Sequence, residues 1–191
     1  MLRNTRSQYG KITRYLHWGI ALLMVGLVIS GWYAVDVGYM SRLQKPLLDW
    51  HQAVGIAVFG LGGVFVLWHL VNRPPAHIES LSSLERLAAR CVHIVLYTSL
   101  FAIPLTGYIA ATEDGPLNVF GVDFAPLPAT DWMTSDELAL ALHWYFGYGL
   151  AGLAILHAAA ALKHHVVNRD ATLSRMMGRA SNPAQTPDIQ R

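Results

Sequence analysis
The sequence predicts an all-α integral membrane protein, a four-transmembrane-helix bundle with both termini cytoplasmic. Three observations carry that reading. The 191 residues are 53% hydrophobic and 14% charged, where an ordinary soluble domain carries about 25% charge, and the mean hydropathy is positive. Four apolar stretches, about 15–35, 50–71, 88–111 and 138–166, each reach the roughly 20 residues needed to cross a hydrocarbon core. Basic residues alternate between the connections in the way that sets membrane orientation.

The first stretch, Tyr15–Val35, follows Arg3, Arg6, Lys11 and Arg14. It is too long for a cleaved signal peptide, and no small-residue cleavage site follows it. Only Arg42 and Lys45 lie in the first and third connections. Arg73, Arg86 and Arg90 surround the second connection, and Lys163, Arg169, Arg175 and Arg179 close the fourth stretch. The termini and second connection are therefore expected inside. The third connection, Thr112–Glu137, carries Glu113, Asp114, Asp123, Asp131, Asp136 and Glu137, and is expected outside, periplasmic in a Gram-negative cell. Its apolar residues Val119, Phe120, Phe124, Leu127, Trp132 and Met133 suggest an irregular lid on the bundle. Residues 1–177 read as one domain, and 178–191 as a disordered cytoplasmic tail.

Some classes are excluded. The net charge of +2 is a topology signal and not the footprint of a nucleic-acid binder. Cys91 is the single cysteine, so there is neither a disulfide framework nor an attachment site for c-type haem. The four stretches hold no Asp or Glu, which argues against a proton or cation carrier.

Histidine carries the chemistry. His143 and His157 are fourteen residues apart, almost four helical turns, so both leave one face about 21 Å apart. Histidine in a spanning helix is costly and marks function. The predicted topology puts His17 at the inner end of the first helix, level with His157, and His51 at the outer end of the second, level with His143. Two bis-histidine sites follow, His17 with His157 and His51 with His143. Two imidazoles without thiolate or carboxylate suit haem iron better than zinc, which takes three or four protein ligands. Gly55 and Gly147 each follow a ligand by four residues and place a bare spot on its face; ordinary helix packing in lipid explains such glycines equally well.

The other histidines differ in depth. His93 lies on the inner side and is a candidate proton acceptor for a quinone, or a plain interhelical hydrogen bond. His69 reads as a boundary residue contacting a propionate or quinone, and His164 and His165 as headgroup or propionate contacts. His77 has no assignment. Arg14, Lys163 and His164 are candidate inner propionate partners by depth, Arg42 and Lys45 the outer ones.

Together the run His17-Trp18, His51-x-x-x-Gly55, the His143…His157-Ala-Ala-Ala-Ala-Leu stretch and the close Asn168-Arg169-Asp170-x-Thr172-Leu-x-Arg175-Met-Met177 resemble bacterial cytochrome b561. The resemblance covers Tyr15 to about Met177. It implies an inner-membrane cytochrome with two haem b groups that exchanges electrons with quinone, ubiquinone being the expected acceptor or donor. His17 and His157 would hold the inner haem, His51 and His143 the outer one. One branch of the family is similar to a superoxide oxidase, passing electrons from superoxide to ubiquinone. This chain departs from the family where Phe65 and His69 stand in place of arginines that members often carry. The acidic outer connection also suits an anion poorly, although Arg42 and Lys45 offer a local positive entry.

Three functions stay open at this level. The first is an oxidoreductase or carrier moving electrons between a periplasmic-side donor, superoxide or a redox protein, and quinone. The second is a haem-bearing anchor subunit of a dehydrogenase or hydrogenase. The third is a haem-free transporter or structural bundle.

Overall fold
The computed structural model describes residues 1–37, 41–76, 78, 81–127 and 136–178. Four long helices, α1 (Lys11–Asp36), α2 (Gln44–Val71), α3 (Ser83–Ala111) and α4 (Asp136–Val166), precede a short α5 (Thr172–Met177). All four are long and apolar enough to cross a membrane. Each begins a few residues before its apolar stretch, because such a stretch marks only the hydrocarbon depth while the helix continues among polar residues. Lys11, Gln44 and Lys45 stand in those added turns. At α3 the extension has its own signal. Ser82 Oγ accepts from the backbone of Glu85, whose carboxylate accepts from the Ser82 backbone in return, a capping box that satisfies two orphan donors.

The helices form two antiparallel pairs, α1 along α2 and α3 along α4, joined by a thinner α2–α3 seam and sparse α1–α4 contact. Ile20, Leu27, Val58, Phe65 and Leu100 make the buried core. Leu22, Ile29, Leu67, Ile155 and Leu156 point outward, which in water would be a liability and in lipid is solvation. Association within the bilayer then rests on close packing and interhelical hydrogen bonds.

The connection after α3 is more regular than the sequence suggests. Leu117–Val119 and Val122–Phe124, here β1 and β2, pair as an antiparallel hairpin. Its turn residues Phe120 and Gly121 both have positive φ, 49° and 87°, as a two-residue turn matching strand twist requires. Phe120 packs edge-on against Trp50 at 5.1 Å, and Leu117 and Val119 are buried, so this part of the connection sits on the bundle. Trp132, Met133, His77 and residues 179–191 lie outside the described residues.

At the opposite end, the terminal end, residues 1–10 fold back on the bundle. Gly10 allows this, since a Cβ there would lie 2.2 Å from the Leu2 carbonyl oxygen. Asn4 is the hub: its Oδ1 accepts from Gly10 N and from the hydroxyl of fully buried Thr13, and its amide donates to the carbonyls of Asn72 and Arg73. Trp68 Nε1 donates to Thr13 Oγ1 at 2.9 Å. Helix α5 closes over this end. The Arg175 guanidinium donates to the carbonyls of Ser7, Ala76 and Arg6, and Trp18 Nε1 donates to Met176 O.

Candidate functional site
The bundle brings together the four histidines in the expected pairs. His17 (α1) and His157 (α4) have ring centroids 6.3 Å apart at the terminal end. His51 (α2) and His143 (α4) stand 5.9 Å apart at the hairpin end. Metal–imidazole bonds of about 2.0 Å, with the ring radii added, separate two trans-coordinating imidazoles by about 6 Å between centroids. Both pairs have that spacing. Among the described residues no three His, Cys, Asp or Glu side chains converge as a chelating set, so a metal held here by two imidazoles must bring its remaining ligands with it. A porphyrin does so.

Backbone and hydroxyl groups decide which nitrogen the hairpin-end pair presents. His143 Nδ1 lies 2.9 Å from the Ile103 carbonyl oxygen, which can only accept, so Nδ1 carries the proton and Nε2 is the free ligand nitrogen. Ser30 donates its hydroxyl hydrogen to the Leu27 carbonyl and lies 3.1 Å from His51 Nδ1. Its oxygen is therefore the acceptor for His51, and Nε2 is free there too. Such outer partners fix tautomer and orientation in metal sites.

Glycine makes the room. A Cβ on Gly31 would lie 2.9 Å from His51 Cε1, and one on Gly107 2.7 Å from His143 Cε1. These are closer than real Cβ contacts, so any side chain would displace the rings. Gly55 and Gly147, singled out from sequence, have no described residue within 4 Å of such a Cβ; they border space of the kind a flat macrocycle needs. Sequence reasoning overlooked Gly31, Gly107 and Ser30, though a signal existed. Gly31 follows His17 by fourteen residues and Gly107 follows His93 by fourteen, the same interval as His143 to His157. Three helices thus present a histidine at one depth and a glycine or histidine four turns away, on one face.

The remaining predicted residues divide. His93 joins the terminal pair, with its ring 5.1 Å edge-on from His157 and its Nδ1 donating to the Ala89 carbonyl. His69 donates through Nδ1 to the Phe65 carbonyl, and its Nε2 lies 3.4 Å from the Tyr97 hydroxyl. Arg14 stands one turn before His17, with its guanidinium against Gly178 in the space a Cβ would fill, and its Nε is buried without a hydrogen-bond partner among the described residues. Lys45 is exposed and pairs with Asp49 at 2.9 Å, and Lys163 bridges to Glu85; both charges are already matched. His164 is held by Asp170 at 2.6 Å and by Asn168. Burial opposes the charge of Asp170, yet hydrogen bonds from Thr172 and His164 outweigh it and hold the carboxyl below the usual aspartate range.

Comparison with known proteins places the chain in a family. Residues 8–179 match the family described as prokaryotic cytochrome b561. The chain is 35% identical to cytochrome b561 homolog 2 of Escherichia coli (strain K12) over 180 residues, covering 94% of this chain and 96% of that protein. It is 31% identical to the probable superoxide oxidase CybB of Yersinia pestis, covering 90% and 96% respectively. Cytochrome b561 homolog 1 of E. coli is 28% identical over 91% of this chain and 98% of its own length. With four membrane-length helices and a family match over nearly its whole length, the chain belongs to the prokaryotic cytochrome b561 family of haem-bearing transmembrane electron-transport proteins.

Proposed function
We propose that this protein is a bacterial inner-membrane cytochrome with two haem b groups, carrying electrons between a donor at the outer face and membrane quinone. The observation that carries the reading is the pair of histidine couples at 6.3 and 5.9 Å, set four turns apart on α4. His17 and His157 would hold one haem and His51 and His143 the other, with Arg14 as the candidate propionate partner at the terminal end. Haem, when bound, supplies a one-electron iron couple. The chain's residues do the rest. With two neutral imidazoles holding each iron, no protein-free position would be left for oxygen, which would favour electron transfer over oxygen activation. Ile103 and Ser30 keep His143 and His51 in the tautomer that offers Nε2. The apolar bundle excludes water and adjusts potential through its low dielectric.

The charge asymmetry supports an orientation with both termini in the cytoplasm and the β-hairpin outside. The donor proposed at that outer face is superoxide, supported by the similarity to the probable superoxide oxidase of Yersinia pestis. Lys45 would serve as a positive entry only if its pairing with Asp49 opens. The test is a pyridine haemochrome assay on detergent-purified protein, with reduced-minus-oxidised spectra after addition of ubiquinol or superoxide. Two b haems per chain, reducible by either, are expected. Absence of haem from protein made in haem-replete cells would overturn the reading.

A further inference from the structure
The two ends of the α3–α4 pair repeat each other with one exchange. At the hairpin end Gly107 lies against the His143 ring, and the carbonyl one turn earlier on α3, that of Ile103, accepts from His143 Nδ1 at 2.9 Å. The helices are antiparallel, so fourteen residues forward on α4 match fourteen backward on α3, each step covering about 21 Å. On α4 that step leads from His143 to His157. On α3 it leads from Gly107 to His93 and from Ile103 to Ala89. The Ala89 carbonyl thus stands where His157 would find the acceptor that Ile103 gives His143, and it is already taken. His93 Nδ1 donates to it at 2.6 Å. Where the hairpin end has a glycine, the terminal end has an imidazole set between backbone and ligand.

A neutral imidazole that donates through Nδ1 accepts through Nε2. The His93 ring is 5.1 Å from that of His157, edge-on with 79° between the planes. A nitrogen-to-nitrogen hydrogen bond of about 2.9 Å, with the ring radii added, separates centroids by about 5 Å. That is too close for two rings to share one iron, which needs about 6 Å, a spacing that His17 meets at 6.3 Å. His157 has no hydrogen bond of its own among the described residues, so its Nδ1 is free to turn to His93. We propose that His93 is the positioning residue for the terminal-end ligand: its Nε2 accepts the Nδ1 proton of His157 and leaves His157 Nε2 for the iron, while its own Nδ1 anchors the relay to Ala89. The assignment rests on the two-haem reading above and adds how His157 is held. Such an outer acceptor fixes the tautomer and raises the basicity of the ligand, which favours ferric iron.

The experiment compares His93→Leu, which removes the acceptor, with His93→Gln, whose Oε1 can accept in place of Nε2, in the haem-loaded full chain in detergent. The two haems are told apart by the spectra of His51→Ala and His157→Ala. Haem transfer to apomyoglobin and a redox titration are the readouts. In His93→Leu the terminal-end haem should leave about 10–100-fold faster, the usual effect of losing an outer partner. Its midpoint potential should rise, because the ligand gives less electron density to ferric iron. The hairpin-end haem should keep both values, and His93→Gln should return both toward the parent. Unchanged transfer and potential in His93→Leu, or equal shifts in His93→Leu and His93→Gln, would overturn the proposal and leave His93 a packing residue. Complete loss of the terminal-end haem from both variants would make His93 an iron ligand, which also overturns it. A parent chain without haem would overturn the two-haem reading and the proposal together, whereas a two-haem parent with an indifferent His93→Leu overturns the proposal alone. Should His93→Leu fail to fold, His93→Ala takes its place in the same comparison.

Discussion

Gly107 lies against the edge of the His143 imidazole, so that a methyl group on its Cα would stand 2.7 Å from His143 Cε1. One helix thereby sets the position of a ligand on its neighbour by the absence of a side chain. Gly107→Ala is expected to push the ring off axis and lose about half the bound haem, the hairpin-end share, since a misoriented ligand binds metal far more weakly. Gly147→Ala, four residues from His143 but facing open space, should retain more than Gly107→Ala. Haem-to-protein ratio by pyridine haemochrome checks both. Full occupancy in Gly107→Ala would contradict the role given to this contact.

Ser30 acts on the opposite ligand of the same pair. In Ser30→Ala, His51 loses its Nδ1 acceptor, and loss of such a partner lowers affinity by about 10–100-fold. Transfer of haem to excess apomyoglobin, followed by absorbance, should be faster by that order for the hairpin-end haem and unchanged for the other. Uniform loss from both centres would instead indicate general destabilisation.

The pairing itself predicts the outcome of single ligand substitutions. His17→Ala and His157→Ala should leave one identical low-temperature spectrum, and His51→Ala and His143→Ala should leave its complement. Four different spectra, or loss of all haem from each variant, would dissolve the two-site assignment.

Arg175 ties two segments, residues 6–7 and Ala76, to α5 through one planar group. Arg175→Ala should cost about 1.5–3 kcal/mol of local stability, the range for hydrogen bonds to a charged group, and expose residues 1–10 to limited proteolysis. Arg175→Lys keeps the charge but not the fork, and is expected to restore less than half the protection. An unchanged digestion rate in both would show that the latch holds by other contacts.

The Asp170 carboxyl has a lowered pKa in the folded chain. The sign of its effect follows: the stabilisation is complete above the ordinary aspartate value of about 3.9 and is lost as pH falls through the lower folded value. Thermal unfolding in detergent between pH 7 and 3 should therefore show an acid decline in the parent. Asp170→Asn should start lower at pH 7 and decline less. Parallel acid slopes would assign the decline to other groups.

The parts of this molecule written along one helix were legible, and the parts written between segments were not. Apolar runs locate all four spans because crossing lipid is a one-dimensional demand, and His143 and His157 announce their shared face through spacing alone. Depth then pairs them with His17 and His51, since topology turns sequence position into height. The folded-back residues 1–10 depend on Asn4 reaching Thr13 and Asn72, and no local pattern encodes that. Helix α5 is a single turn and a half held by Arg175, too short for periodicity to register. Gly31 and Gly107 were missed for a different reason. In sequence a glycine reads as small, while its meaning here comes from the ring on the neighbouring helix.

Every ligand pair crosses between the two antiparallel halves. His17 and His51 come from α1 and α2, while both of their partners come from α4, and α1 and α4 otherwise barely touch. A prosthetic group held by both pairs would in this sense be a rivet driven through two plates that the α2–α3 seam already joins. Its loss would then loosen the bundle first where α1 faces α4, while each antiparallel pair stayed intact.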